Sequence, residues 1–399
     1  ITVTLYLTSY KEQDNKRLYM KTQATYGDDG YVFGLTINDI PQEYRTEYVD
    51  LIEFFAGWSD VNGLIYTDAT GAAIREWDKV NDAEMYAVWP QFVDGYEKLK
   101  EVIDSDDKAS IVLVNDVTVG ENRFAEYNGV FNGNNHSVFV NATSENGGLF
   151  DVNNGTIKNV RFVIDVDFAL SDTKTTRFGG ICGLNNGFVE NVNAEITSDV
   201  EIGAFSGTFF FGGLVGINAG ELKQISYTVN GFELSVAGGD GVPYVGSVVG
   251  LNKSYVGVDV EIHGFKVLYD GKPYARQTDT IGSVAGANAL ITESGAVTEG
   301  VFVGSCRLTG VSYAEGYETY EESADASKAY SEGRWESVYG GLYYYSGNKI
   351  CPANETYSSE ITYYKKVTTK KDIFLNSGNR FGANRGGNYA EFSFSTVEK

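Results

Sequence analysis

Asp165 and Asp167, in the stretch FVIDVDF, are two residues apart and therefore share one face of a strand. A carboxylate pair is the minimum equipment for glycoside hydrolysis. That chemistry needs the two acids across a groove, about 5–10 Å apart. Neighbours on a single strand stand side by side, and nothing nearby supplies a basic partner. The two histidines, His136 and His263, lie far apart and form no HExxH or His-x-His pattern, so a zinc site is not expected. The acidic run DSDD at 104–107 lacks the spaced oxygen ligands and glycine of a calcium loop and reads as a solvated turn. No GxSxG, phosphate loop or dinucleotide fingerprint stands where a strand and helix would need it. No catalytic residue, metal or other cofactor is assigned.

Three cysteines make neither a disulfide framework nor a metal cluster. Cys182 occupies a place taken by Phe150, Val215 and Val249 in parallel stretches, which marks it as a small core residue. Cys306 and Cys351 are candidates for a disulfide if the protein is exported. The candidate ligand-binding residues are aromatic: Trp335 with Tyr343, Tyr344 and Tyr345, in WESVYGGLYYYSGNKI. Such a cluster suits sugar or protein recognition; its alternative is to alternate in and out of a final turn of the fold. Trp58 and Trp89 pose the same choice between sugar stacking and a sparse core, and the core is the more ordinary. Lys365, Lys366, Lys370 and Lys371 form a basic patch, expected to be a solvated strand face or a dock for an acidic partner.

The frame that must position these residues is written in a repeated phrase. GGLFDVN begins at Gly147, GGICGLN at Gly179, GGLVGIN at Gly212, GSVVGLN at Gly246 and GSVAGAN at Gly282; the intervals are 32, 33, 34 and 36 residues. That period belongs to stacked supersecondary units. Glycine leads each phrase, and the fifth position is Asp151, Gly183, Gly216, Gly250 or Gly286, types that tolerate positive φ. The seventh is always asparagine: Asn153, Asn185, Asn218, Asn252 and Asn288. Apolar residues alternate around these posts, which argues strand. If the phrases stack, the five amides form a ladder in which each bonds the next. In the fourth copy Asp259 falls where Val160, Val192 and Ile225 stand, so Val258 is expected to take the inward place through a bulge.

Composition agrees. The chain has 399 residues, 47 glycines, 5 prolines and 14% aromatics, which favours strands joined by glycine turns. A formal charge of −23 disfavours nucleic-acid or anionic-membrane binding. No run of 18 apolar residues is present, so no membrane insertion is expected. The chain opens directly in ITVTLYL, which suggests a processed product or excised segment.

The phrase GGLVG resembles the GLUG motif of bacterial cell-surface proteins, among them putative adhesins and non-catalytic parts of secreted immunoglobulin A peptidases. The lead-in IVLVNDVTV and GVFNGNNHSVFV resembles the coils that precede such repeats. FAGWSDVNGLIYT and DAEMYAVW, through Phe55, Gly57, Trp58, Tyr86 and Trp89, resemble the Listeria–Bacteroides repeat, similar to the B repeats of internalins. These resemblances imply a cell-surface or extracellular location and assign no catalytic residues.

The expected architecture is mainly β: a right-handed parallel β-helix preceded by a small β-grasp-like repeat domain. The handedness rests on the general preference of parallel crossovers. Residues 1–90 form the β-grasp-like repeat, 91–110 a capping helix and connector, 111–303 the GLUG-repeat β-helix, and 304–399 an aromatic-rich segment in which GGLYYYSGN reads as a decayed sixth copy. Within 91–110, Asp94 and Glu97 are spaced as a capping box for an amphipathic helix. Residues 317–333 read as a loop or short exposed helix. The expected function is non-enzymatic attachment or display by a monomer, with a glycan or a host or extracellular protein as partner. The alternative is a polysaccharide lyase or hydrolase on a β-helix.

Overall fold

The structure is a computed structural model. It describes residues 1–142, 148–170, 176–202, 207–237, 242–270, 280–288, 290–291, 297–298, 300–309, 319–323, 334–337, 342–346, 349–351, 361–367, 381–384 and 388–397. The chain is mainly β, and most of its strands lie in stacked parallel sheets. No described helix is long and apolar enough to cross a membrane.

The N-terminal part is a four-stranded mixed sheet. Thr2–Tyr6 and Ala83–Ala87 lie parallel at its centre; Leu18–Gln23 and Trp58–Ser59 flank them antiparallel. Val3, Leu5 and Met85 point inward and are fully buried beneath Trp58, Tyr66 and Trp77. Trp58 donates its indole N–H to Phe33 O at 2.6 Å, so this ring belongs to the core. Trp89 is partly buried, packs on Tyr48 and Phe55, and donates to Leu7 O. The insertion at 11–16 contains a short 3-10 turn, Gln13–Asn15.

A helix, Tyr96–Ser105, follows and buries Leu99, Val102 and Ile103 against the first strands of the stack. Its N-terminus departs from the expected capping box. The N-cap is Gly95, which has no side chain to offer, and Glu97 falls one place before the position from which a capping-box acid reaches back.

Beyond the helix the chain coils. The phrase strands Phe150–Asn153, Cys182–Asn185, Val215–Asn218, Val249–Asn252 and Ala285–Asn288 pair in parallel, in register, within one seven-stranded sheet. Long strands follow them, Thr156–Leu170, Phe188–Ile202, Glu221–Ala237, Tyr255–His263 and Val301–Thr309, stacked in a twelve-stranded sheet. A third, three-stranded sheet holds Thr176–Gly179, Thr208–Gly212 and Val242–Gly246. Side chains alternate by the period-two rule: Val256, Val258, Val260 and Ile262 are buried, while Asp259, Glu261 and His263 are exposed. Each such aliphatic contributes about 1.5–3 kcal/mol on burial, and the inward set merges into one continuous core.

Val258 pairs with Ile225 and is buried, as the fourth copy requires. The register difference has a specific origin. The first three long strands carry an extra residue in the left-handed region, Asn159, Asn191 and Gln224, at φ 52°, 50° and 54°. The fourth copy has no counterpart, so its strand runs one residue short.

Two expectations about the phrase change. The fifth-position glycines are not among the residues of positive φ; among the described glycines that open the phrases, Gly148 is, at 96°. The fifth position is small because backbone crosses it: a Cβ on Gly216 would lie 2.6 Å from Gly183 O, and one on Gly250 2.7 Å from Gly216 O. The sixth copy is also elsewhere. Phe381–Asn384, in the sequence FGAN, extends the phrase sheet by pairing Asn384 with Asn288, and Asn388–Val397 extends the long-strand sheet. The segment GGLYYYSGN instead contributes Leu342–Ser346 to a separate five-stranded sheet whose pairings are antiparallel. Thr319–Ser323, expected as loop or helix, is a strand of that sheet because Ile361–Val367 lies alongside and places Lys365 opposite Glu321.

Candidate functional site

The asparagine ladder is present and internal. Asn153 Nδ2 donates to Asn185 Oδ1 at 2.8 Å, Asn185 to Asn218 at 2.9 Å, Asn218 to Asn252 at 2.9 Å and Asn252 to Asn288 at 3.0 Å. All five side chains are fully buried. The same amides reach turn backbone, for example Asn218 Nδ2 to Tyr255 O at 3.1 Å. The amides thus satisfy the polar turns of the stack, which would otherwise be buried without partners. Their role is to hold the coils together.

Asp165 and Asp167 are exposed on the outer face of the long-strand sheet. Register places Asp167 beside Asp199, and Asp199 beside Glu233, so carboxylates of adjacent coils do line up. They do so along one open sheet face, where the two sides of a groove would be needed for acid–base cleavage. His136 lies near Asp116 at 3.5 Å and His263 near Glu261 at 3.6 Å, both at the surface. Among the described residues no group of three or more His, Cys, Asp or Glu is placed to hold a metal.

Cys182 is fully buried between Phe150 and Val215 in the phrase sheet, and burial raises its thiol pKa far above the ordinary value. Cys306 is buried in Val301–Thr309. The side chain of Cys351 lies outside the described residues, as do those of Trp335, Tyr343, Tyr344 and Tyr345. Their backbones set Trp335 opposite both Tyr343 and Tyr363 in the separate antiparallel sheet. Lys370 and Lys371 lie outside the described residues.

The structure brings together a different set. Where the N-terminal domain meets the stack, a cleft of about 620 Å³ opens, within the size range of small-ligand sites. Its floor is the corner of three consecutive coils. There Asn186 Nδ2 donates to Asn154 Oδ1 at 2.8 Å and Asn154 Nδ2 to Asn128 Oδ1 at 2.9 Å, a second amide row that faces solvent. Beside it stand Lys158, Glu190 and Lys223 in register on adjacent strands, with the Phe188 ring under the Lys223 ammonium at 6.0 Å. The N-terminal domain contributes Leu64, Ile74 and Arg75 to the lining, and Lys108 lines it as well. Leu64 and Ile74 are exposed apolar residues at 36% and 38%.

The two sides are fixed to each other. Tyr10 donates to Asp106 Oδ2 at 2.7 Å, Lys11 pairs with the same oxygen at 2.7 Å, and Lys108 Nζ donates to Asn62 O at 3.0 Å. Ala56, Ile65, Val88 and Val130 join in a small apolar cluster across the junction. Burial works to raise the Asp106 pKa, but the bonds from Lys11 and Tyr10 outweigh it and hold the carboxyl below its usual range.

The cleft is only partly legible in the sequence. Lys158, Glu190 and Lys223 stand at one place in three successive copies, which is the periodic signal of the floor. No such signal ties them to Arg75 or Lys108. No family model, curated protein or solved structure matches this chain.

Proposed function

We propose that this chain is a non-enzymatic attachment or display module of a bacterial cell surface, whose partner is a glycan or a host or extracellular protein. In this reading the stack is a right-handed parallel β-helix of GLUG-type repeats and the leading domain is a β-grasp-like repeat of the Listeria–Bacteroides kind. The in-register phrase strands support the first, and the parallel central pair flanked by antiparallel strands supports the second. Such a protein needs a stiff body and a recognition surface at the outer world. The observation that carries the reading is the cleft between the two modules, whose walls are locked by Asp106, Tyr10, Lys11 and Lys108 while its interior offers amides, ammonium groups and an aromatic ring.

The test is binding of the intact chain to a glycan array and to immobilised host-matrix proteins. Saturable binding on either supports the attachment role. Absence of binding on both removes it. The alternative of a polysaccharide lyase or hydrolase draws on the row Asp167, Asp199 and Glu233; incubation with acidic polysaccharides, followed by detection of shortened or unsaturated products, decides it.

A further inference from the structure

We propose that the inter-module cleft is a binding site for an acidic oligosaccharide, with Lys158 and Lys223 taking its carboxylate or sulfate groups and the Asn154–Asn186 row taking its hydroxyls. This deepens the attachment reading and rests on it.

Charge is the first argument. In a chain of formal charge −23, the cleft lining gathers Arg75, Lys108, Lys158 and Lys223 against Asp68 and Glu190, and two carboxylates touch it from beside the lining, Glu221 paired with Lys223 Nζ and Glu126 accepting from Asn154 Nδ2. Asp68 is already engaged: its Oδ1 accepts from Thr70 N at 2.8 Å, Thr70 Oγ1 at 2.7 Å and Ala72 N at 3.0 Å, which closes a turn. Lys158 is half-buried beside Glu190 on the next strand and makes no side-chain hydrogen bond or ion pair among the described residues. An anion meets a trough in which cations balance the carboxylates, on a chain whose net charge otherwise repels it, and Lys158 is the cation there that the described residues leave uncommitted. Lys158 and Lys223 are two strands apart, roughly 10 Å at the usual spacing, so one extended ligand with anionic groups along its length can reach both.

The second argument concerns which hydrogen-bonding groups remain. The floor backbone is spent within the stack: Asn186 N and Gly187 N both donate to Asn153 O at 2.8 and 3.1 Å, and Phe188 N donates to Gly155 O at 2.9 Å. An acidic peptide would seek a free strand edge for main-chain pairing, and this floor has none to give. Both hydrogens of Asn154 Nδ2 are taken by Glu126 and Asn128, so what faces the ligand is the rest of the amide row, the second Asn186 N–H with the Asn186 and Asn154 oxygens, together with ammonium and ring. Those groups suit a chain of hydroxyls and carboxylates, with the Phe188 face and the exposed Leu64 and Ile74 meeting the apolar side of a sugar ring.

The experiment uses the full chain on an array of uronate-, sialate- and sulfate-bearing oligosaccharides, each beside its neutral counterpart such as the methyl ester. The hits are followed by titration at two salt concentrations. The expected result is saturable binding of acidic members, at least tenfold weaker for the neutral forms and weaker again at high salt. Lys158→Glu and Lys223→Glu should each weaken it at least tenfold, and Lys158→Gln and Lys223→Gln, which set no new acid beside Glu190 or Glu221, should weaken it in the same direction with thermal melts unchanged. The equal charge change Lys253→Glu, at a turn outside the cleft, should leave it intact. Neutral glycans binding as well as acidic ones, or acidic binding indifferent to the cleft variants, overturns the inference and leaves the attachment function standing. Binding to matrix proteins alone does the same. Silence on every surface removes the attachment function and this inference with it.

Discussion

The Asn218 side-chain nitrogen lies 2.9 Å from Asn252 Oδ1, joining two residues 34 positions apart in a core from which water is excluded. Asn218 also accepts from Asn185 at 2.9 Å, so its amide is held on both sides. Asn288 differs. It accepts from Asn252, but its own Nδ2 is buried with no acceptor among the described residues.

Asn218→Ala should therefore destabilise more than Asn288→Ala. The first takes the acceptor of Asn185 Nδ2, a donor to Asn252 Oδ1 and the donor to Tyr255 O, leaving Asn185 and Asn252 with longer bonds to Gly187 O at 3.3 Å and from Ser254 N at 3.2 Å, a loss of about 1–3 kcal/mol in all. The second takes an acceptor from Asn252 Nδ2, which keeps its bond to Ser254 O at 2.9 Å, and removes an amide whose own donor has no acceptor among the described residues. Denaturant melts of the two variants beside the parent check this; equal, negligible losses in both would remove the ladder from the account of stability.

Acid should loosen the junction between the N-terminal domain and the stack. Asp106 has a folded-state pKa below its ordinary value, so the stability it lends is present above the unfolded value and is lost as pH falls through the lower, folded one. Between neutral pH and about 5 the junction should hold, and below about pH 4 it should weaken. Asp106→Asn should abolish this pH dependence while weakening the junction at neutral pH. Limited proteolysis between residues 90 and 110, followed across pH for both proteins, measures it; identical cleavage profiles would contradict the assignment.

Cys182 should resist thiol reagents in the folded protein, since burial keeps it protonated and out of reach. Cys182→Val matches the valine at the same place in the next coil, Val215, and should be nearly neutral. Cys182→Ser buries a hydroxyl in an apolar site and should cost about 1–3 kcal/mol. Thermal melts of the two variants, with labelling of the parent before and after denaturation, give the answer. A stable Ser variant would mean that the site is wetter than its packing indicates.

The coils were legible in the chain because each copy repeats the same local problem. Alternation from Val256 to Ile262 names the inward face, and the recurrence of asparagine at one position implies a stack in which like meets like. The amphipathic spacing of Leu99, Val102 and Ile103 likewise places the helix on the stack. The reason for glycine at positions 183, 216 and 250 was not legible. The need comes from backbone of an adjacent strand passing within 3.0 Å or less of where a Cβ would sit, and no local preference records it.

By itself, then, the sequence determined the repeat, its inward face and its amide ladder, all of which follow from short-range periodicity propagated coil to coil. Tertiary structure decided where the stack closes and what it offers. Phe381–Asn384 resumes the phrase sheet only after an antiparallel sheet has intervened, because parallel pairing with Ala285–Asn288 satisfies an edge that would otherwise stay open. Arg75 and Lys158 face one cleft because a few contacts, those of Asp106, Lys108 and the Val88–Val130 cluster, dock one domain onto the corner of another. Docking of this kind is set by complementary surfaces distant in sequence, and such surfaces carry no period.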